Sequence, residues 1–267
     1  MILEKDDRLI LLTNDDGLYA GGIRTLTQVM EEFGKVVVIS TVESRSGMSQ
    51  ALTVKMPIRV KLLDETDNKR VYACSGTPAD GVKIAINQLL ERKPDWVVSG
   101  INHGSNASVS VIYSGTMAAA IEGCLYGIDS VGFSLNDFSA DADFEPTRIF
   151  IRQIMKSLES NSLPGYVCLN VNFPSCPENE VKGIRVCRQA SGNWREEFDK
   201  RKDPMGKTYY WLTGIFQNHE PEATDTDEWA LQHNYVSVVP VTVDMTAHSQ
   251  IDSLKSRFEN GQKGYIK

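Results

Sequence analysis

Asn14-Asp15-Asp16-Gly17, following Thr13, sets two carboxylates side by side directly behind the apolar run Leu9-Ile10-Leu11-Leu12. Where a buried strand passes into a loop, like charges this close repel, and the surrounding low-dielectric protein strengthens the repulsion. A cation relieves it, and hard carboxylate oxygens suit Mg²⁺, Mn²⁺ or Ca²⁺. A solvated turn is the competing reading, because Asn, Asp and Gly are ordinary turn formers.

Three further clusters carry small polar residues. Ser44-Arg45-Ser46-Gly47-Met48 is one, the stretch from Ser99 through Asn102, His103 and Asn106 is the second, and Tyr113-Ser114-Gly115-Thr116 is the third. Taken singly, each has an ordinary reading as a loop, a pair of turn residues or a helix cap. A helix start also presents free backbone N–H groups and a positive dipole end, which favours phosphate. His103 alone points neither to a ligand nor to an acid-base group. In combination the clusters describe an acidic metal seat and an anion-binding helix start on one edge of a sheet.

The elements that must position these clusters alternate in type. Leu9 to Thr13 reads as a buried strand, and Ile23, Leu26, Val29, Met30 and Phe33 fall on one helical face that Gly34 is placed to end. Val36 to Ile39 is a β-branched strand. Thr77-Pro78 reads as an N-cap and first helical position ahead of Val82, Ile86, Leu89 and Leu90. Trp96-Val97-Val98 is the next strand, with a helix from about Ser114 through Leu125 behind it. Val131 to Ser134 follows, then an acidic loop from Asn136 to Glu145, a helix carrying Phe150, Ile154 and Leu158, and a strand from Val167 to Phe173. Near-continuously apolar strands between helices imply a parallel sheet covered on both faces, with ligands at the strands' carboxyl ends.

After about Gly183 the pattern turns to strand-like segments at Ile184–Cys187, Thr208–Ile215 and Tyr235–Val243. Charged, loop-like stretches at Arg195–Lys207 and Glu220–Glu228 separate them, and a short helix is expected from Ile251 to Phe258. Residues 1–183 are therefore expected to form the α/β core carrying the metal site. Residues 184–267 are expected to form a β-rich extension and tail rather than an independent domain. Trp194, Tyr209, Tyr210 and Trp211 read as packing in an interface or core, with base stacking as the alternative.

The chain has 267 residues with 41% hydrophobic content, enough for a sizeable core, and a net charge of −7. That charge argues against a broad nucleic-acid-binding surface but not against a small phosphorylated ligand. Met1-Ile2-Leu3 runs straight into charged residues, so no signal peptide is expected, and no apolar run is long enough to span a bilayer. Five cysteines without a CxxC pair argue against a disulfide scaffold or a thiolate zinc site. Cys124 and Cys168 sit inside apolar patterns and read as core residues. Together these features describe a reduced, soluble, cytoplasmic protein.

The stretches LLTNDDGLYAGGI, SRSGMSQALT, SGTPADGV, SGINHGSN, YSGTMAAAIEG, LNVNFP, TDTDEWAL and YVSVVPVTVDMT, in this order, cover essentially the whole chain. In them the chain resembles the SurE family, the survival-protein nucleotidases. Ser40-Thr41-Val42-Glu43 departs from it, since the family more often carries an Ala-Pro-containing segment there. The resemblance implies a Rossmann-like three-layer α/β/α sandwich with a mostly parallel sheet and a C-terminal β-rich extension. It implies one divalent metal ion per subunit, Mg²⁺ or Mn²⁺, and hydrolysis of nucleoside monophosphates, with 3′-nucleotidase and exopolyphosphatase activity open beside 5′-nucleotidase activity. Homodimers or homotetramers that exchange C-terminal segments are also implied. Carried over onto matching motifs, the metal ligands are Asp15, Asp16, Ser46 and Asn102. Asn14, Asn106, Ser114, Gly115 and Thr116 line the phosphate and substrate pocket.

In such a site Asp15 is the candidate to orient the attacking water or accept its proton. Direct attack by Asp15 is disfavoured, because the motif lacks the DxD spacing of aspartate-nucleophile phosphatases, and no residue stands out as general acid. A non-catalytic receiver or nucleotide-binding module needs a further Asp at a central strand end, and Val98-Ser99-Gly100 supplies none. A dinucleotide-dependent oxidoreductase would need a GxGxxG turn after the first strand, and that is absent.

Overall fold

The computed structural model describes residues 8–195 and 197–259. The expectations for the leading residues 1–7 and for the last eight residues of the tail lie outside it. Chain order begins with β1 (Leu9–Thr13), α1 (Gly21–Met30), β2 (Lys35–Thr41), β3 (Val60–Glu65), β4 (Lys69–Cys74), α2 (Pro78–Ile84) and β5 (Trp96–His103). It continues with α3 (Gly115–Leu125), β6 (Asp129–Leu135), α4 (Arg148–Ser160), β7 (Val167–Phe173), β8 (Ile184–Val186), β9 (Gly192–Arg195) and β10 (Phe198–Lys202). The last elements are β11 (Thr208–Leu212), β12 (Ile215–Asn218), α5 (Asp227–Gln232), β13 (Val236–Thr242) and α6 (Ile251–Phe258).

Nine strands form one sheet in the order β3-β4-β2-β1-β5-β6-β7-β13-β8. From β4 to β7 every pairing is parallel, whereas β3 and β13 run antiparallel to their neighbours β4 and β7. Alternation along the strands divides the core between the two faces. Ile10, Leu12, Val38, Val98 and Phe133 pack with Leu26 and Met30 of α1 and Ile151 and Met155 of α4. Leu11, Val37, Ile39 and Val97 pack with Val82 of α2 and Ala119 of α3. The result is the expected three-layer α/β/α arrangement. Cys124 and Cys168 are buried beside Met117 and Ala120 in a small cluster of their own.

Several boundaries differ from the sequence reading. The helix expected to reach Gly34 ends at Met30, and two tight turns, Glu32 N–H to Val29 O and Phe33 N–H to Met30 O, carry the chain onward. Behind α2 the apolar face continues as a π-helical turn at Ala85–Leu89. β5 does not stop at Val98 but runs to His103, with a register irregularity against β6 between Ser99 and Asn102. The strands β3 and β4 lie in a stretch the periodicity left unassigned. Arg195–Lys207 is not wholly a loop: β10 lies inside it and pairs antiparallel with β11, while β9 pairs with β12. Asp199 to Lys202 are consecutive charged residues on a ribbon that has no buried face to make its sequence look strand-like. Tyr209, Tyr210 and Trp211 on β11 are exposed, so core packing within this chain is not their role.

β13 is the last strand in sequence but not an edge. It lies between β7 and β8, antiparallel to the first and parallel to the second.

Candidate metal and phosphate site

β2, β1 and β5 are neighbours, so the polar clusters behind them open onto the same sheet edge. At the centre Asp15 is only 3% exposed. Its Oδ1 accepts a hydrogen bond from Thr116 Oγ1 at 2.7 Å. Gly115 lies against its other oxygen, since a Cβ there would stand 2.7 Å from Asp15 Oδ2. Burial pushes the Asp15 carboxyl up to about 6, with the adjacent Asp16 charge adding to it and the bonds from Thr116 and Gly115 opposing it. Burial also raises Asp16, against the His103 N–H that donates to its Oδ2 at 3.0 Å.

That bond ties Asp16 to the end of β5, where Asn102 stands. Both amide hydrogens of Asn102 are engaged, by the carbonyls of His103 at 3.0 Å and Gly104 at 2.8 Å, which leaves its oxygen as the atom available to a ligand. Ser46 arrives on the long irregular segment behind β2, which is staked at three places. Arg45 N–H donates to the Asp15 carbonyl at 2.7 Å. Ser49 donates through its N–H to Tyr113 O at 3.1 Å and through its hydroxyl to Ile112 O at 2.7 Å. Thr53 N–H reaches the Asp80 carboxylate at 3.1 and 3.2 Å, and Thr77 Oγ1 donates to Ala51 O at 2.8 Å. Ser46 itself is exposed, its hydroxyl 2.9 Å from that of Ser44.

The donor set can be tested against a divalent ion on its chemistry. Among the described residues no group of three or more His, Cys, Asp or Glu gathers to hold a metal. The two carboxylates are raised by burial, and the further donors expected from the sequence, Ser46 and Asn102, bring neutral oxygens. Two charged and two neutral oxygen donors fit Mg²⁺ or Mn²⁺ and give no purchase to a thiolate- or imidazole-seeking ion.

α3 starts beside this cluster. Ser114 is its N-cap, accepting from Met117 N–H at 3.0 Å, and the Gly115 N–H bonds to Asp15. The Ser114 and Thr116 hydroxyls are thus both engaged in holding the turn together. Asn106 is buried, with its N–H donating to Asn172 Oδ1 at 2.7 Å and its Nδ2 to Ser134 Oγ at 2.8 Å. Asn14 does not open onto the site. It is fully buried, accepts from Ser40 Oγ at 2.6 Å and donates to Gly17 O at 2.9 Å, which makes it a brace of the acidic turn.

Residues that pattern reasoning passed over brace the site from below. Asn170 Nδ2 donates to Asn106 O at 2.8 Å, and Asn172 Nδ2 donates to Asn170 Oδ1 at 3.0 Å. Their signal is two amides spaced by two inside an apolar strand, which places both on one buried face. Asp80 braces the Ser46 segment. The fully buried Asp227 accepts from Ser108 N–H at 2.8 Å and Ala190 N–H at 2.9 Å, clamping the turn behind Asn106 to the C-terminal third.

A profile of the family described as Survival protein SurE matches residues 10–196. The 5′-nucleotidase SurE of Christiangramia forsetii is 55% identical over 256 residues, 95% of this chain and 98% of that protein. The protein of the same name from Flavobacterium johnsoniae is 52% identical over 96% of this chain and 100% of its own length. Among solved structures, the SurE protein from Aquifex aeolicus superposes with a TM-score of 0.80 at 34% identity, covering 93% of this chain and 99% of that one. No helix among the described residues is long and apolar enough to cross a membrane.

Proposed function

The chain belongs to the survival protein SurE family, and we propose that it is a divalent-metal-dependent 5′-nucleotidase that releases phosphate from nucleoside monophosphates. The observation that carries the reading is the placement of the adjacent acids Asp15, buried, and Asp16, half-buried, against the start of α3. There a cation and a phosphate group satisfy opposite demands of the same few residues. The relatives named 5′-nucleotidase SurE support the substrate class.

Asp15, Asp16, Ser46 and Asn102 would hold the ion, one per subunit and Mg²⁺ or Mn²⁺ by donor chemistry. When bound, such an ion neutralises charge on a phosphate oxygen and makes a coordinated water more acidic. The chain's own part is positional. N–H groups at the start of α3 hold the remaining phosphate oxygens. The hydroxyl of Thr116 fixes the rotamer of Asp15, whose carboxylate orients the attacking water and takes up its proton. Asn106, braced by Asn170 and Asn172, stands at the edge of the phosphate seat, where its amide NH2 is the group suited to an anionic oxygen. The ribose hydroxyl that leaves takes its proton from solvent.

We read residues 184–267 as an extension that joins subunits into a homodimer or homotetramer. The β10–β11 ribbon exposes Phe198, Tyr210, Trp211 and Leu212, and a second copy of the chain is the cover that fits it. Cytoplasmic localisation follows from the same reading.

Phosphate release from purine and pyrimidine nucleoside monophosphates, with Mg²⁺ or Mn²⁺ and after EDTA, is the direct test. Turnover that EDTA abolishes and either ion restores is expected, with Asp15→Asn and Asp16→Asn folded but inactive. Saturable nucleotide binding without phosphate release would replace the hydrolase with a binding module.

A further inference from the structure

Phe138, in the acidic loop behind β6, is 73% exposed. Its ring is nevertheless held in place. Gly104 has a left-handed φ of +91°, and a Cβ there would run into the Phe138 ring, 2.7 Å from Cδ1. The ring therefore lies against bare backbone that no other residue type provides. Gly104 N–H donates to Asp137 O at 2.9 Å, and Gly104 O accepts the Asn102 amide at 2.8 Å. The Asp137 carboxylate accepts from Ser139 N–H at 2.9 Å, Ser139 Oγ at 2.6 Å and Ser175 Oγ at 3.2 Å, which fixes the loop from the other side.

One face of this aromatic ring is thus seated on residue 104, two positions from Asn102, while much of the ring is open to solvent. Among the described residues no other aromatic ring stacks on it. Burial in the core does not explain a phenylalanine so open and so firmly held. A planar ligand does, because a nucleobase offers a π-face of matching size and an apolar one to cover.

Resting on the nucleotidase reading, we propose that Phe138 is the platform on which the base of the nucleoside monophosphate stacks while its phosphate sits beside the acidic pair at the start of α3. Stacking reads the face of a base and not its hydrogen-bonding edge. The enzyme is accordingly tolerant of base identity and favours purines, which cover more of the ring. The cover is the substrate rather than a second subunit, because the ring's seat is continuous with the backbone that holds Asn102.

The test compares the full-length protein with Phe138→Ala and Phe138→Trp. Both variants are expected to fold, since the side chain is mostly in solvent. Phe138→Ala is expected to raise KM for purine nucleoside monophosphates by about tenfold or more, the scale of base–aromatic stacking, with kcat little changed. Phe138→Trp is expected to restore it. The inhibition constant of ribose 5-phosphate, which carries no base, should not move. Calorimetric binding of a purine nucleoside should weaken in parallel with KM. Equal losses for nucleotide and ribose 5-phosphate, an unchanged KM, or a uniform loss that accompanies a change in subunit number would overturn the platform. Absence of turnover on any nucleotide by the unaltered enzyme would sink the nucleotidase reading instead, and the nucleoside-binding measurement still decides the role of Phe138.

Discussion

The hydroxyl of Thr116 and the carboxylate of Asp15, 101 residues apart in sequence, meet at 2.7 Å with both side chains buried. This single bond joins the end of the central strand β1 to the first turn of α3. It links the seat for a cation to the seat for a phosphate, so the two move as one body. It also assigns Asp15 Oδ1 to the scaffold, while Oδ2 lies against Gly115.

Replacing Thr116 with Val keeps the shape and removes the donor. The buried Asp15 oxygen then lacks its partner, a loss of about 1–3 kcal/mol. A fall of about tenfold or more in kcat for phosphate release is expected. Thr116→Ser, which keeps the hydroxyl, should retain most of the activity, and circular dichroism should show both variants folded. Equal activity in Val and Ser variants would remove the bond from the mechanism.

Gly115→Ala brings a methyl group to 2.7 Å from Asp15 Oδ2, closer than real Cβ contacts allow. The acid must turn away or the start of α3 must retreat. Titration with Mn²⁺ is the readout, and weaker metal affinity is expected with little change in secondary structure.

Asp80 anchors the Ser46 segment through the Thr53 and Thr77 N–H groups, the latter at 2.9 Å. Asp80→Ala strands both donors, so residues 45–53 should become sensitive to limited proteolysis and the metal requirement should rise. Asp80→Asn keeps one acceptor and should fall between the two. Intact resistance to protease in Asp80→Ala would show that the segment is held by other means.

Burial, reinforced by the charge of Asp227, pushes the half-buried Glu228 up to about 7 from its ordinary 4.5. The folded protein therefore holds a proton on Glu228 that the unfolded chain has already released between those values. Stability from this residue is greatest below about 4.5, falls as pH rises through the window, and is flat above 7. Glu228→Gln stays neutral throughout. It should match the parent near pH 4.5 and melt about 2–4 °C higher at pH 8, taking about 1 kcal/mol after discount for partial exposure. Parallel melting curves for the two proteins from pH 5 to 8 would refute the assignment.

The parallel half of the fold was legible because its strands are buried on both faces and its helices on one, and both conditions write themselves into apolar spacing. β1, β2, β6, β7, α1 and α3 were all visible for that reason. β3 and β10 were not, since each lies at an edge or in a two-stranded ribbon and is mostly exposed, with no core beneath to impose a period. The acidic pair and the start of α3 were visible as residue types that a buried strand end does not otherwise tolerate. The bracing by Asp80, Asn170, Asn172 and Asp227 was hidden, because hydrogen bonds between residues tens of positions apart leave no local pattern. Asn14 shows the converse, a polar residue in the right motif whose side chain turns inward to Ser40.

The placement of β13 bears on how this chain leaves the ribosome. Until residues 236–242 are made, β7 presents a raw row of N–H and C=O groups and β8 has no neighbour to join. A nascent chain halted or clipped just short of Val236 would hold a nearly finished core with an open, apolar strand edge, an adhesive template for other unfinished copies. Synthesis to the end therefore seals the sheet, and truncated products mark themselves for aggregation or degradation.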